Sequence, residues 1–222
     1  MCKWASFTIA FWIPILVLHR VTFAGTMGLD SFVIAINNPA IRQNAWEIIM
    51  GNAQMFDVSR EGSRTVLHAF TSGGNICLGK KISVPLGNYP ILHWAWKVIV
   101  LPSGGREDVK KKNDSAAGII IGLKRGFAFN ALKYVWSSTL PVGSVVRDGP
   151  GAYDRVIVLE SGGSRTGKWI SEKVDFGKDI RRCFDDRYSG IQGVSIMTDS
   201  DNTRSSAEAY YADLSFSTDS LN

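Results

Sequence analysis

Residues 91–101 read Ile-Leu-His-Trp-Ala-Trp-Lys-Val-Ile-Val-Leu and are followed by the turn-forming stretch Pro-Ser-Gly-Gly at residues 102–105. A run of β-branched and aromatic residues that is closed by proline and glycine predicts one long β-strand. Trp94 and Trp96 are two residues apart, so their side chains point to the same face of that strand.

The chain after residue 45 repeats this pattern of short apolar segments separated by turn residues. The predicted strands are residues 46–50, 55–58, 65–70, 76–84, 91–101, 116–123, 131–137, 155–160, 169–176, 191–198 and 209–216. Strands that follow one another at ~8–15-residue intervals are typical of a β-sandwich or barrel. Such connections are too short for the crossover helices that a parallel sheet needs. We therefore expect an all-β, antiparallel β-sandwich, with one short helix at residues 177–184.

The composition fits one globular domain. With 45% hydrophobic and 20% charged residues, the chain of 222 residues has neither the low hydrophobicity nor the high charge of a disordered protein. The formal net charge is +5, but the basic residues are scattered. The densest run, at residues 110–112, lies among loop residues, so we expect no nucleic-acid partner. Residues 25–222 are predicted to form a single β-sandwich domain.

Residues 1–24 have the pattern of a secretory signal peptide. Lys3 gives a positive start, and residues 5–18 form an apolar run that is too short to span a bilayer, which takes ~20 residues. Thr22-Phe23-Ala24 places small residues before a cleavage point at Gly25. The alternative is an uncleaved membrane anchor, because residues 21–24 extend the apolar stretch. We expect an exported protein, periplasmic or extracellular, that meets a membrane only through an uncleaved leader.

Two cysteines, Cys77 and Cys183, remain after the leader. An oxidising compartment would permit a bond between them. Each lies in an apolar stretch, however, where a free cysteine packs as a small hydrophobic residue. The sequence leaves both states open.

Several segments in a fixed order resemble one protein family. They are residues 93–98 (His-Trp-Ala-Trp-Lys-Val), 113–118 (Asn-Asp-Ser-Ala-Ala-Gly), 133–136 (Lys-Tyr-Val-Trp), 167–169 (Gly-Lys-Trp) with Glu172, and 193–203 (Gly-Val-Ser-Ile-Met-Thr-Asp-Ser-Asp-Asn-Thr) with Tyr210, Tyr211, Asp213 and Phe216. The set resembles the domain-of-unknown-function 3047 family of exported bacterial proteins. At Gly118 the chain departs from the basic residue of many relatives. The final third is also similar, more loosely, to galactose-binding-like jelly rolls, which implies a sandwich of that type.

The first candidate site is aromatic. Trp94 and Trp96 share a strand face, and so do Tyr134 and Trp136. If these side chains are exposed, they can stack on the apolar C–H faces of sugar rings, which makes them candidate ligand-binding residues. The alternative is core packing, because large aromatic side chains dominate protein interiors. Core packing is the expected role of Trp169 as well.

The second candidate site is acidic. Residues 199–203 read Asp-Ser-Asp-Asn-Thr and place oxygen-bearing side chains at alternate positions. An EF-hand is excluded, because its loop needs glycine and glutamate at positions that Arg204 and Tyr210 occupy here. A calcium site built from Asp199, Asp201 and Asp213, with Asp114 as a further partner, remains a hypothesis. The alternative is that these side chains cap their own turn.

Catalysis has little support in the sequence. His68 and His93 lie within predicted strands without metal-ligand spacing. A glycosidase needs two carboxylates, one on each side of the bond that is cleaved. The spacing of the acidic residues in this sequence singles out no such pair. The candidates are Glu160, Glu172, Asp175 and Asp199.

Three functions follow from these patterns. The first is a non-catalytic glycan-binding module with a polysaccharide partner and no cofactor, or calcium alone. The second is a structural or assembly partner in the cell envelope, which predicts buried tryptophans and an exposed apolar patch. The third, with the least support, is a polysaccharide-degrading enzyme.

Overall fold

A computed structural model describes residues 32, 35–36, 43–86, 89–125, 128–147, 154–184, 188 and 190–218. The leader assigned to residues 1–24 lies outside these ranges. In the part of the chain that is described, no helix has the length and apolar character needed to cross a membrane.

In the described residues, thirteen strands form two sheets. The strands are β1 (Ala35–Ile36), β2 (Gln43–Met50), β3 (Phe56–Glu61), β4 (Arg64–Ser72), β5 (Asn75–Pro85), β6 (Ile91–Val100), β7 (Ala117–Arg125), β8 (Ala128–Ser137), β9 (Val145–Arg147), β10 (Arg155–Ser161), β11 (Ile170–Asp175), β12 (Gly190–Asp199) and β13 (Ser206–Ser217). The six-stranded sheet has the order β11-β6-β13-β4-β3, with β1 beside β13. The seven-stranded sheet has the order β2-β5-β12-β7-β8-β10-β9. The predicted jelly-roll type of β-sandwich is confirmed.

Two strand pairs are parallel, which the sequence did not suggest. β1 runs parallel to β13, and β10 runs parallel to β8. Part of the segment after β8 forms β9 at the edge of the sheet. The chain passes the position of β10 to reach β9, and β10 then fills the gap between β9 and β8. This detour is what makes the β8–β10 pair parallel.

The core between the sheets is built on aromatic side chains. β6 alternates, so that Trp94 and Trp96 point inward while His93 and Lys97 point outward. The Trp94 ring lies 5.2 Å from that of Trp96 in an edge-to-face contact and 5.7 Å from that of Tyr134. Edge-to-face and offset contacts of this kind are the favoured geometries of aromatic pairs. They join the six-stranded sheet to the seven-stranded one.

The one α-helix in the described residues, α1 (Phe176–Phe184), follows β11 directly, and two short 3-10 helices lie at Ala53–Met55 and Lys110–Lys112. Helix α1 buries Phe176 and Ile180 against the core, and its position agrees with the predicted helix at residues 177–184. Cys183 in this helix is a free thiol. Cys77 and Cys183 are therefore not bonded to each other.

Replacing Trp136 tests the importance of the aromatic core. The side chain is fully buried and donates its indole N–H to the Gly162 carbonyl oxygen. We expect Trp136→Ala to lower the free energy of unfolding by about 3–5 kcal/mol through the cavity that it leaves. Val142→Ala, at a side chain that is 63% exposed, should change it by less than about 0.5 kcal/mol. Chemical denaturation of the two variants measures both values, and similar losses would contradict this account of the core.

Candidate functional site

The four aromatic side chains proposed as ligand-binding residues lie in the core. Trp94 is 2% exposed, and Trp96, Tyr134 and Trp136 are fully buried. Each also has a ring contact with another member of the set. They offer no face to an external sugar ring, so the hypothesis that they form an exposed row on a sheet is wrong.

The outer face of the six-stranded sheet instead carries a row of aromatic and charged side chains. The strand register places Trp169, Lys97, Tyr210, His68 and Asp57 side by side across five neighbouring strands. Trp169 immediately precedes β11, beside the outward-facing Lys97 of β6. The expectation that Trp169 belongs to the core is therefore wrong, because its side chain is only partly buried.

Trp169 rests on small side chains and is surrounded by charged ones. Its indole packs on the cluster formed by Val66, Ala95 and Ala212. Its Nε1–H donates to Oε2 of Glu61 at 3.1 Å. The guanidinium of Arg64 and the ammonium of Lys97 each lie 4.9 Å from the ring centroid, within the range of a cation–π contact.

Tyr210 continues the row towards β3. His68 stacks on it at 4.4 Å, and the Lys97 ammonium lies 4.4 Å from its ring centroid. His68 in turn contacts the carboxylates of Asp57 at 2.8 Å and Glu208 at 2.9 Å. The hydrogen bond from Lys97 lowers the pKa of Glu61, which keeps its carboxylate ionised. The side chains of this outer aromatic surface are Trp169, Tyr210, His68, Glu61, Arg64, Lys97, Asp57 and Glu208.

The acidic residues meet in part as predicted. One carboxylate oxygen from each of Asp114, Asp199 and Asp201 lies within 4.8 Å of the other two, and we call these residues the acidic cluster. Asp213 does not join them. It lies on the exposed face of β13, where it forms an ion pair of 2.8 Å with Arg64. The prediction that Asp213 belongs to a metal site is therefore wrong.

The turn after β12 does use these side chains as caps. Asp114 accepts hydrogen bonds from the backbone N–H of Asn202 at 3.1 Å and of Thr203 at 2.7 Å. Asp199 Oδ1 accepts one from the Asp201 N–H at 3.3 Å. The turn-capping interpretation is thus confirmed. These hydrogen bonds leave the Oδ2 atom of Asp199 without a hydrogen-bond partner among the described residues.

Asp199 lies in an unusual environment for a carboxylate. Its side chain is fully buried, and no donor in the described residues reaches Oδ2. Desolvation raises the pKa of Asp199 to about 7, while the charge of Lys133 opposes this shift. Lys133 passes over Gly118, where a Cβ atom would lie 3.3 Å from Lys133 Cε. The missing side chain at Gly118 therefore gives Lys133 its space.

Three further acidic side chains, Glu160, Glu172 and Asp175, have structural partners of their own. Glu172 accepts the Trp96 indole N–H at 3.1 Å, and Glu160 forms an ion pair with Arg165. Burial and the charge of Glu160 raise the pKa of Glu172 to about 7. Asp175 caps α1 by accepting the Lys178 N–H.

His68 and His93 have separate partners. His93 hydrogen-bonds to the Ser217 hydroxyl at 3.0 Å, while His68 contacts Asp57 and Glu208. The two histidines have no partner in common in these contacts, so they do not form a common site.

Known structures with a similar arrangement of strands include carbohydrate-active proteins. The xyloglucanase domain of NopAA from Sinorhizobium fredii aligns with a TM-score of 0.43 and 12% identity, over 83% of this chain and 100% of that one. The carbohydrate-binding module TmCBM27 aligns with a TM-score of 0.34 and 11% identity, over 81% and 89%. TmCBM61, bound to β-1,4-galactotriose, aligns with a TM-score of 0.32 and 8% identity, over 78% and 88%.

No curated protein matches the chain in sequence. A family model described as a protein of unknown function, DUF3047, matches residues 45–215, which is most of the chain. The chain therefore belongs to the DUF3047 family.

Proposed function

We propose that this protein is an exported, non-catalytic glycan-binding module whose ligand lies on the outer aromatic surface. The observation that supports the proposal most directly is the position of Trp169. It is a partly exposed indole on the outside of a sheet, with Glu61 at its N–H and with Arg64 and Lys97 over the ring.

This arrangement matches the two kinds of surface on a sugar. The C–H face of a pyranose ring packs on an indole, while its hydroxyl groups need hydrogen-bond donors and acceptors. Glu61 offers acceptor oxygens, and Arg64 and Lys97 offer donors that are oriented by ion pairs with Asp213 and Glu61. The side chain of Glu61 is 45% exposed and that of Arg64 is 33% exposed, so both are open to a ligand.

The aromatic side chains of this surface are also held by contacts within the protein. Trp169 is fixed by its contact with Val66, Ala95 and Ala212 and by its hydrogen bond to Glu61. Tyr210 is held between His68 and Lys97. A preorganised site loses little conformational entropy on binding, which favours affinity.

Export is part of the proposal. The apolar run and small-residue cleavage pattern at residues 1–24 support it. An exported location would bring the module to polysaccharides of the envelope or the surroundings. The alternative role as an assembly partner predicts an exposed apolar patch. Among the described residues, the exposed large apolar side chains come from several different strands and loops, at Ile48, Phe70, Ile99, Val109, Val142 and Val145, and single exposed residues of this kind are ordinary.

One observation favours a second candidate function, polysaccharide hydrolysis. Glu172 has a pKa of about 7 beside Glu160, which is the pattern of a general acid next to a second carboxylate. Both carboxylates, however, are engaged by neighbours, Glu172 by the Trp96 indole and Glu160 by Arg165. We therefore assign the pair a structural role.

Substitution of Trp169 tests the binding surface. In affinity electrophoresis against a panel of soluble β-glucans, mannans and galactans, we expect at least one polysaccharide to retard the wild-type protein. Trp169→Ala should weaken the association by about tenfold or more, because it removes the stacking surface. Ile48→Ala, at an exposed apolar side chain on the edge of the other sheet, is the matched control and should bind as wild type. Equal binding by Trp169→Ala, or no binding by the wild type, would contradict the proposal.

The pH dependence of stability tests the structural role of Glu172. The folded-state pKa of about 7 exceeds the ordinary value of 4.5. The stability that Glu172 contributes is therefore complete below pH 4.5 and is lost as the pH rises through 7. The difference in unfolding free energy between Glu172→Gln and wild type should therefore rise by about 1–2 kcal/mol in favour of the variant from pH 4 to pH 8, allowing for partial solvent exposure.

Urea denaturation of both proteins at the two pH values measures this change. The comparison at pH 4 is the control, because Glu172 is protonated there in the wild type. A wild-type protein that hydrolyses a polysaccharide, together with a Glu172→Gln variant that does not, would instead support the second candidate function.

A further inference from the structure

The acidic cluster lies on the seven-stranded sheet, away from the outer aromatic surface. Asp114 lies in the loop before β7, Asp199 is the last residue of β12, and Asp201 lies in the turn that follows. Their carboxylate oxygens lie within 4.8 Å of one another. Three like charges at this distance repel unless something positive lies between them.

A second observation points to a ligand. Asp199 is fully buried, yet its Oδ2 atom accepts no hydrogen bond in the described part of the chain. Buried carboxylate oxygens without a partner are costly and rare in native proteins. The turn-capping bonds satisfy Oδ1 of Asp199 and both oxygens of Asp114, but not this atom.

The local charge favours a cation as that ligand. Three acidic side chains meet here, and Lys133 is a cationic side chain that acts electrostatically on Asp199. A cation between the carboxylates would offset their mutual repulsion.

We propose that Asp114, Asp199 and Asp201 bind one calcium ion. Calcium takes oxygen ligands at about 2.3–2.6 Å in flexible geometry, so oxygens that share an ion lie up to about 5 Å apart. The oxygens of the cluster fall within that limit. The cluster contains neither histidine nor cysteine, which zinc and copper prefer as ligands.

The hydrogen bonds around the cluster have the role of an outer shell. Asn75 donates to Oδ2 of Asp201, and the Asn202 and Thr203 amides hold Asp114. Such bonds orient ligating carboxylates before the ion arrives. The ion would join the loop before β7 to the turn after β12, which lie far apart in sequence. Its main effect would therefore be on stability.

The test uses the full chain, freed of metal with a chelator and dialysed. Calorimetric titration with Ca²⁺ should show one ion per chain. At a Ca²⁺ concentration one hundredfold above Kd, the melting temperature should rise by on the order of 5 °C. Mg²⁺ should bind at least about tenfold more weakly, because it demands a tighter octahedral shell.

Two variants and a matched control identify the residues. Asp199→Asn and Asp201→Asn should each weaken Ca²⁺ binding by at least about tenfold, while Asp213→Asn should bind as wild type. Metal-free Asp199→Asn should melt no lower than the metal-free wild type, which separates lost binding from misfolding. The proposal is overturned if the wild type binds no Ca²⁺ at millimolar concentration, if Mg²⁺ binds equally well, or if all three variants bind alike.

Discussion

The contact between Trp94, Trp96, Tyr134 and Trp136 is the constraint on which the rest of the molecule depends. These rings come from β6 and β8, one strand from each sheet, and they meet at centroid distances between 5.2 and 6.1 Å. Three of the four side chains also donate a hydrogen bond, from a hydroxyl or an indole N–H group, to a neighbouring element. Tyr134 donates to Asp179 of α1, Trp96 to Glu172 of β11 and Trp136 to Gly162 in the loop between β10 and β11.

The same contact decides what the outer surface presents. Because side chains alternate along a strand, inward tryptophans at positions 94 and 96 force Lys97 outward on β6. The register with β13 and β4 then brings Tyr210 and His68 beside it. The charged and aromatic groups of the outer aromatic surface are therefore aligned by the packing of the core, and a slip of one residue would turn them inward.

Much of the fold could be predicted from the sequence, because strand and turn signals are local. The helix and most strands lie where the pattern placed them, and the proximity of Asp114 to the turn after β12 was also anticipated. Whether the aromatic side chains face the core or the solvent was harder to predict. The polar neighbours His93 and Lys97 indicate that Trp94 and Trp96 face the core, whereas nothing local shows that Trp169 lies outside. Asp213 was misplaced because β13 shifts register between Ala212 and Ser215, and Asp213 has a positive φ of 55° there.

The central claim is that a glycan meets Trp169 and not the tryptophans of the core. The most direct test is to record the indole N–H resonances of ¹⁵N-labelled protein during titration with the polysaccharide fragment that binds best. We expect the Trp169 signal to shift and saturate, while those of Trp94, Trp96 and Trp136 stay in place. A Trp169 signal that does not move while a core tryptophan signal does would contradict it.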